Sequence, residues 1–402
     1  MDHPTQILVS LFIVYVAALV GAEVAQRLGL PSVVGQIAAG CAIGPSALAW
    51  VTPSEPLTVL AEIGAILLLF SVGLETRLRE LRKVGGVAVS VALLGVAVPF
   101  IFGGIWALAS GFPTAKAAFV AAAFVATSAG ITAKVLQELG VLSRMESRII
   151  LGAAIIDDVL AMLLLGVVSA LQTKAGVDFL NLAMVLGQAL LFLAAVAFLG
   201  AKVMQRSSKL MEAPVDAESP LSISLAICLG LAAAASQIGL AAIIGAFLAG
   251  MILAETKHRH DIERDTRPIM ALLLPFFFVV TGSQVDVRLL GDWGTVGVVL
   301  FVTLLAIVAK VIGCGLGARS LGRKGAMIVG VGMVPRGEVG IIVASLGERA
   351  GVFNASTYGI IIAMSLLTSV FAPPVLKALL KESRSLGVEE SIPQLEPGVD
   401  AS

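Results

Sequence analysis

Five ionisable residues sit deep inside strongly apolar stretches of this chain: Asp157 beside Asp158, then Lys310, then Arg336 and Glu338 on either side of a glycine. A charge in hydrocarbon costs roughly 2.5 to 3.5 kcal/mol on insertion scales, so each of these groups needs a partner and each is a functional candidate. Asp157 and Asp158 are neighbours whose side chains point about 100° apart on a helix, so one can pair while the other stays open. Lys310 is the natural partner for one of them, since an unpaired ammonium in a dry bundle would lose its proton by desolvation. A salt bridge that only locks a bundle needs one carboxylate. The second is what a cation site in competition with protons requires: ionised it binds the metal, protonated it binds none.

Two further segments read as interrupted helices. Ala126-Thr127-Ser128-Ala129-Gly130-Ile131-Thr132 puts three hydroxyls and a glycine at mid-membrane depth, and Val334-Pro335-Arg336-Gly337-Glu338 sets Pro and Gly around two charges. Thr127, Ser128 and freed carbonyls are oxygen ligands suited to a hard cation. Half-helix ends carry partial charges, which Arg336 and Glu338 are placed to balance.

The elements that must hold these groups are transmembrane helices. The chain is 58% hydrophobic and 13% charged, with mean hydropathy +1.00, against roughly 25% charged residues in soluble domains. Runs such as Val87 to Ala109 are too long and too apolar for barrel strands, so an all-α polytopic membrane protein is expected. About 13 spans follow, starting near Ile7, Val33, Leu57, Val84, Ala115, Ser147, Phe179, Leu221, Leu240, Pro268, Trp293, Gly325 and Thr357. Lys and Arg cluster after the odd-numbered spans, roughly 21 on that side against about 4 on the other, which places the N-terminus outside and the C-terminus in the cytoplasm. Spans five and twelve, the interrupted ones, occupy corresponding places if spans one to six and eight to thirteen form an inverted repeat, and paired broken helices mark a transporter's binding site.

Several features are given bland readings. Cys41, Cys228 and Cys314 have no paired spacing and read as packing residues. Gly313, Gly315 and Gly317 imitate part of a dinucleotide fingerprint but follow no strand, so they read as helix-packing positions. Glu75 ends the third span before a basic loop; it is an interfacial charge and a possible gate or pH-response residue. Glu23, Glu62 and Arg27 lie near membrane ends and are given no role. The chain from 381 to 402 reads as a short disordered cytoplasmic tail. Zero formal net charge and the absence of a basic, aromatic-interleaved run argue against nucleic acid, and no nucleotide-binding domain is expected.

Phe70-Ser71-Val72-Gly73-Leu74-Glu75, Ala126-Thr127-Ser128, Leu136-Gln137-Glu138-Leu139-Gly140-Val141-Leu142-Ser143, Gly152 through Asp157-Asp158, and Pro335-Arg336-Gly337-Glu338-Val339-Gly340 together resemble the bacterial cation:proton antiporters of the NapA type, over nearly the whole chain to about Leu380. The resemblance implies a thirteen-helix homodimer in the bacterial inner membrane, with inverted repeats and two crossed discontinuous helices in an NhaA-like antiporter fold. It implies one transmembrane unit over residues 1–380, with a core domain at about 57–172 plus 293–380 and a dimerisation domain from the remaining helices. By the same resemblance Asp158 binds Na+ (or Li+) and H+ in turn, Asp157 pairs with Lys310, and the core moves like an elevator in electrogenic exchange. No cofactor is implied, and the chain is not expected to be an enzyme. Intramembrane aspartyl proteolysis would need two aspartates on different helices facing one another. Potassium/proton exchange stays open as the alternative, because ligand types alone do not set the size of the alkali ion.

Overall fold

The computed structural model describes residues 3–76, 78–170, 179–196, 219–286, 288 and 292–385. The chain beyond residue 385, the basic loop with Lys202, Arg206 and Lys209, and the side chain of Glu338 lie outside the described parts. All regular structure among the described residues is helical: α1 (His3–Arg27), α2 (Ser32–Ile43), α3 (Glu55–Leu74), α4 (Leu78–Ala109), α5 (Thr114–Val125), α6 (Ala129–Glu138), α7 (Met145–Ala170), α8 (Phe179–Ala195), α9 (Ser219–Gln237), α10 (Ala242–Leu253), α11 (Arg259–Ser283), α12 (Trp293–Gly317), α13 (Gly322–Gly332), α14 (Gly337–Arg349) and α15 (Ala355–Ser385). Eight spans among the described residues are long and apolar enough to cross a membrane, and shorter apolar helices lie between them. Large apolar side chains stand exposed along α1, α4 and α12, among them Phe12, Leu19, Ile105, Phe301 and Leu304. In water such a surface would aggregate; in a bilayer it meets lipid.

Local sequence explains many of the ends. Pro31 and Pro113 precede α2 and α5, where a missing N–H costs nothing. Asp292 caps α12 by accepting from the Thr295 amide and hydroxyl at 2.9 and 2.8 Å. The same two bonds hold the Asp292 carboxyl below its ordinary range. Helix α15 runs to Ser385, past residue 381 where the tail was expected to begin. Residues 381–384 include no Gly or Pro that would stop it.

The helices pack as two groups. The first is α1, α2, α3, α9, α10 and α11; the second is α4 to α7 with α12 to α15. Glycines let backbones touch inside each group. A methyl at Gly73 of α3 would collide with the Phe247 carbonyl of α10, and methyls at Gly313 and Gly317 of α12 would collide with Leu94 and Val91 of α4. Between the groups the approach is looser: a methyl at Gly130 of α6 would meet only side-chain atoms, the Phe277 ring of α11 at 3.4 Å and Leu69 of α3 at 3.8 Å. Helix α3 is thus joined to α10 and α11, although the expected core boundary at residue 57 counted it with α4 to α7. The fit is made by Gly73 of α3 against Phe247 and Gly250 of α10 and by Gly64 of α3 against Leu273 of α11, a match invisible in hydropathy.

Candidate functional site

Both interrupted segments leave helical geometry where expected. Residues 126–128 separate α5 from α6, and residues 333–336 separate α13 from α14. The two unwound stretches meet, with the Ser128 amide donating to the Pro335 carbonyl at 2.7 Å. The Thr132 hydroxyl of α6 donates to the Gly332 carbonyl at 2.7 Å, so a side chain on one broken helix satisfies the end of the other. Gly337 makes the meeting possible. Its φ is +41°, and a side chain there would press on Ile131 and on Ser128.

Two buried cations close the C-terminal end of α5, where helical carbonyls are left unpaired and the helix dipole is negative. Arg336 donates to the Phe124 carbonyl, to Val334 at 2.9 Å and to Ala306 at 3.3 Å. Lys310 donates to the Val125 carbonyl at 2.8 Å and to the Gly95 carbonyl of α4 at 2.8 Å. The Gly95 carbonyl is available because Pro99, four residues on, has no N–H to give it. Lys310 also lies 3.2 and 3.4 Å from the two carboxylate oxygens of Asp157, both side chains being 0% exposed. Asp157 is therefore the aspartate that the lysine takes. Arg336→Lys is expected to lower stability by about 2 kcal/mol or more, because one ammonium cannot reach three carbonyls on three segments. Unchanged thermal stability of the purified variant would contradict that capping role.

Asp158, one residue on, points elsewhere. It is partly exposed and lines a small hollow with Ala129, Leu151, Ala154 and Ile155 of the second group and with Leu69, Ile243 and Phe247 of the first. The carboxylate thus stands on the seam between the groups. Thr127 and Ser128 are buried in the unwound stretch next to Ala129, with the Thr127 hydroxyl turned toward the Val125 carbonyl at 3.4 Å. Ala129, rather than either hydroxyl residue, lines the hollow.

The two ends of the seam differ. At the end that carries the basic loops, polar contacts tie the groups together. Glu138 of α6 accepts from the Ser32 hydroxyl and, at 3.3 Å, from the Ser32 amide at the start of α2, and it lies 3.5 Å from Lys134. Lys377 of α15 donates to the Gly29 carbonyl at 2.6 Å. Gln137 of α6 donates to Ser71 and Glu75 of α3, both at 3.1 Å. Burial pushes the Glu75 carboxyl up, opposed by the Gln137 bond; Glu263 pushes the same way as burial, and Arg259 and Arg267 oppose it. At the other end the seam opens into a cavity of about 550 Å³.

The sequence reading named the aspartates, Lys310, Arg336 and the broken segments, but missed Gly95, Ser32 and Glu138. Pro99 was a usable signal for Gly95. Nothing local signals Ser32 and Glu138, which stand 106 residues apart.

The profile of the transmembrane sodium/hydrogen exchanger family matches residues 13–382. The chain is 36% identical to the Na(+)/H(+)-K(+) antiporter GerN of Bacillus cereus, across 88% of this chain and 91% of that protein. It is 35% identical to the high-affinity Na(+)/H(+) antiporter NhaS3 of Synechocystis, across 94% and 90%, and 33% identical to a Na(+)/H(+) antiporter of Enterococcus hirae, across 92% and 97%. Its fold is similar to that of the sodium proton antiporter MjNhaP1 from Methanocaldococcus jannaschii, with a TM-score of 0.71 over 99% of this chain and 100% of that one at 18% identity.

Proposed function

This chain belongs to the sodium/hydrogen exchanger family, and on that premise we propose that it is a secondary active sodium/proton antiporter in which Na+ and H+ compete for the Asp158 carboxylate. It is a multi-pass membrane protein whose relatives are transporters rather than enzymes. The observation that carries the site is the contrast between two adjacent acids. Asp157 is sealed against Lys310, whereas Asp158 lines a hollow on the seam between two packed groups. A carboxylate there is reached from one side or the other according to how the groups sit. Ionised, it attracts a sodium ion with help from the carbonyls and hydroxyls of the broken helices, including Thr127 and Ser128; protonated, it releases it. Arg336 holds the crossed half-helices, and Glu338 is placed beside it in sequence to balance charge.

Exchange then proceeds by movement of one group against the other in an elevator-like step. The moving body is α4 to α7 with α12 to α15, and α3 stays with the other group because of its close backbone contacts to α10 and α11. That division moves the core boundary from residue 57 to about residue 78. Thirteen spans, counted with each broken helix as one, put the N-terminus outside and the C-terminus inside a bacterial cytoplasmic membrane, and a second copy completes a homodimer. Transported Na+ (or Li+) and H+ need no cofactor. In this orientation the cavity faces outward and the polar contacts close the cytoplasmic end, with Glu75 a gate or pH-response residue in that closure.

The decisive experiment is proton flux in proteoliposomes of purified protein with sodium, lithium or potassium added in turn. Flux driven by sodium or lithium supports the assignment. Flux with potassium alone would replace it with potassium/proton exchange, the second reading, for which the name of the Bacillus cereus relative gives grounds. The cytoplasmic closure has its own test. Glu138→Gln keeps the shape but removes the charge that holds the Ser32 amide and hydroxyl, so hydrogen exchange at residues 29–32 and 134–138 should speed up with little change in thermal midpoint. Exchange as slow as in the unaltered protein would show that Glu138 does not hold the seam.

A further inference from the structure

The outward cavity of about 550 Å³ is bounded by α3 and α9 to α11 on one side and by α14 on the other. Its wall is mostly apolar, with Thr58, Ser236, Thr281, Gln284 and Ser345 as polar residues, and Glu62 of α3 is the one charged residue among the described residues that line it. No Lys, Arg or His is among the described residues that line it, so no cation on the described wall offsets the negative charge. Glu62 is exposed to the space it faces. Ile243 lines both this cavity and the hollow at Asp158, so the two spaces are neighbours. Leu69, which also lines that hollow, is seven residues from Glu62 on the same helix. Seven residues are nearly two turns, so Glu62 and Leu69 share a face about 10 Å apart along the axis.

We propose that Glu62 is a steering residue for the transported cation: it concentrates monovalent cations in the outer vestibule and repels anions before the ion reaches Asp158. A charge in a cleft with low-dielectric walls focuses its field into the opening and raises the local counter-ion concentration. It acts over about 10 Å at 0.1 M salt, the distance from Glu62 to the neighbourhood of the site, and is screened as salt rises. The ion passes Glu62 without being held there, since one exposed carboxylate with neutral oxygens around it does not replace a hydration shell. Glu62 therefore sets how fast the cation arrives from the cavity side and leaves the exchange step itself unaltered. The proposal rests on the antiporter reading and on the orientation that puts the basic loops in the cytoplasm.

The test compares the unaltered protein, Glu62→Gln and Glu62→Asp in right-side-out and everted membrane vesicles, with sodium-driven proton flux as the readout. At low ionic strength Glu62→Gln should raise the half-saturating sodium concentration by about three- to fivefold when sodium is on the cavity side, and leave it unchanged from the other side. Maximal flux should be the same on both sides, Glu62→Asp should behave as the unaltered protein does, and the difference should shrink as choline chloride is raised. A merely structural role would change maximal flux or thermal stability and would not respect sidedness. An equal change from both sides, no change from either, or a change indifferent to salt would each overturn the proposal. Absence of sodium-driven flux in the unaltered protein would instead remove the antiporter reading, and this proposal with it.

Discussion

Asp158→Asn abolishes sodium-driven proton flux while leaving a folded, monodisperse protein; that is the largest functional effect expected of any single substitution in this chain. Asparagine keeps the size and one carbonyl oxygen of the aspartate but can neither take up a proton nor offer a full negative charge. The hollow at Asp158 is otherwise lined by Leu69, Ala129, Leu151, Ala154, Ile155, Ile243, Ile244 and Phe247, whose side chains supply no second carboxylate. Because Asp158 is partly exposed on the seam and Asp157 holds Lys310, the substitution leaves that buried ion pair in place, and the thermal midpoint should shift by only a few degrees. In the unaltered protein, one proton displacing one sodium predicts that apparent sodium affinity weakens by roughly tenfold per pH unit once the carboxylate is mostly protonated. Unchanged flux in the variant would take Asp158 out of the ion site. A sodium affinity indifferent to pH would contradict competition even if the variant were inactive.

Lys310→Ala should give the largest loss of stability. Its ammonium meets four oxygens at once: both oxygens of Asp157 and the carbonyls of Gly95 and Val125. Removing one member of a buried ion pair costs about 3 to 5 kcal/mol, because the other charge is left uncompensated. Each carbonyl deprived of its donor adds about 1 to 3 kcal/mol where no water reaches it. The Gly95 carbonyl has no replacement, since Pro99 cannot restore the helical bond. A thermal midpoint lowered by many degrees in detergent, with loss of sodium-driven proton flux, is the expected outcome. Adding Asp157→Asn to Lys310→Ala removes the stranded carboxylate and should recover part of the midpoint but none of the two carbonyl bonds. A single variant with the midpoint and flux of the unaltered protein would sink the role of the pair. A double variant no more stable than the single one would assign the loss to the carbonyls alone.

The aspartate pair, its buried lysine, the interrupted segments and the helical membrane class were legible because each follows from a local rule. A charge within a long apolar run is costly wherever the helix packs, and Thr127-Ser128 or Pro335-Arg336-Gly337 break a helix through their own backbone chemistry. The choice between the two aspartates was not legible from the residues alone. Both are compatible with Lys310 by composition, and only the rotation of α7 against α4 and α12 brings Asp157 to the ammonium and leaves Asp158 on the seam. The placement of α3 was likewise out of reach, since an apolar helix reads the same whichever neighbour it packs on.

By itself the sequence determined that this protein lies in a membrane as a helical bundle with costly charges at its centre, because hydropathy, helical period and the energetics of buried charge act over a few turns of chain. Tertiary structure alone decided which carboxylate is sealed and which is on the seam. It also decided that Ser32 meets Glu138 at one end and that Glu62 faces a cavity at the other. These outcomes depend on the packing of segments as far as 348 residues apart, as for Gly29 and Lys377, where shape complementarity between backbones selects the partner and hydropathy is the same for every choice.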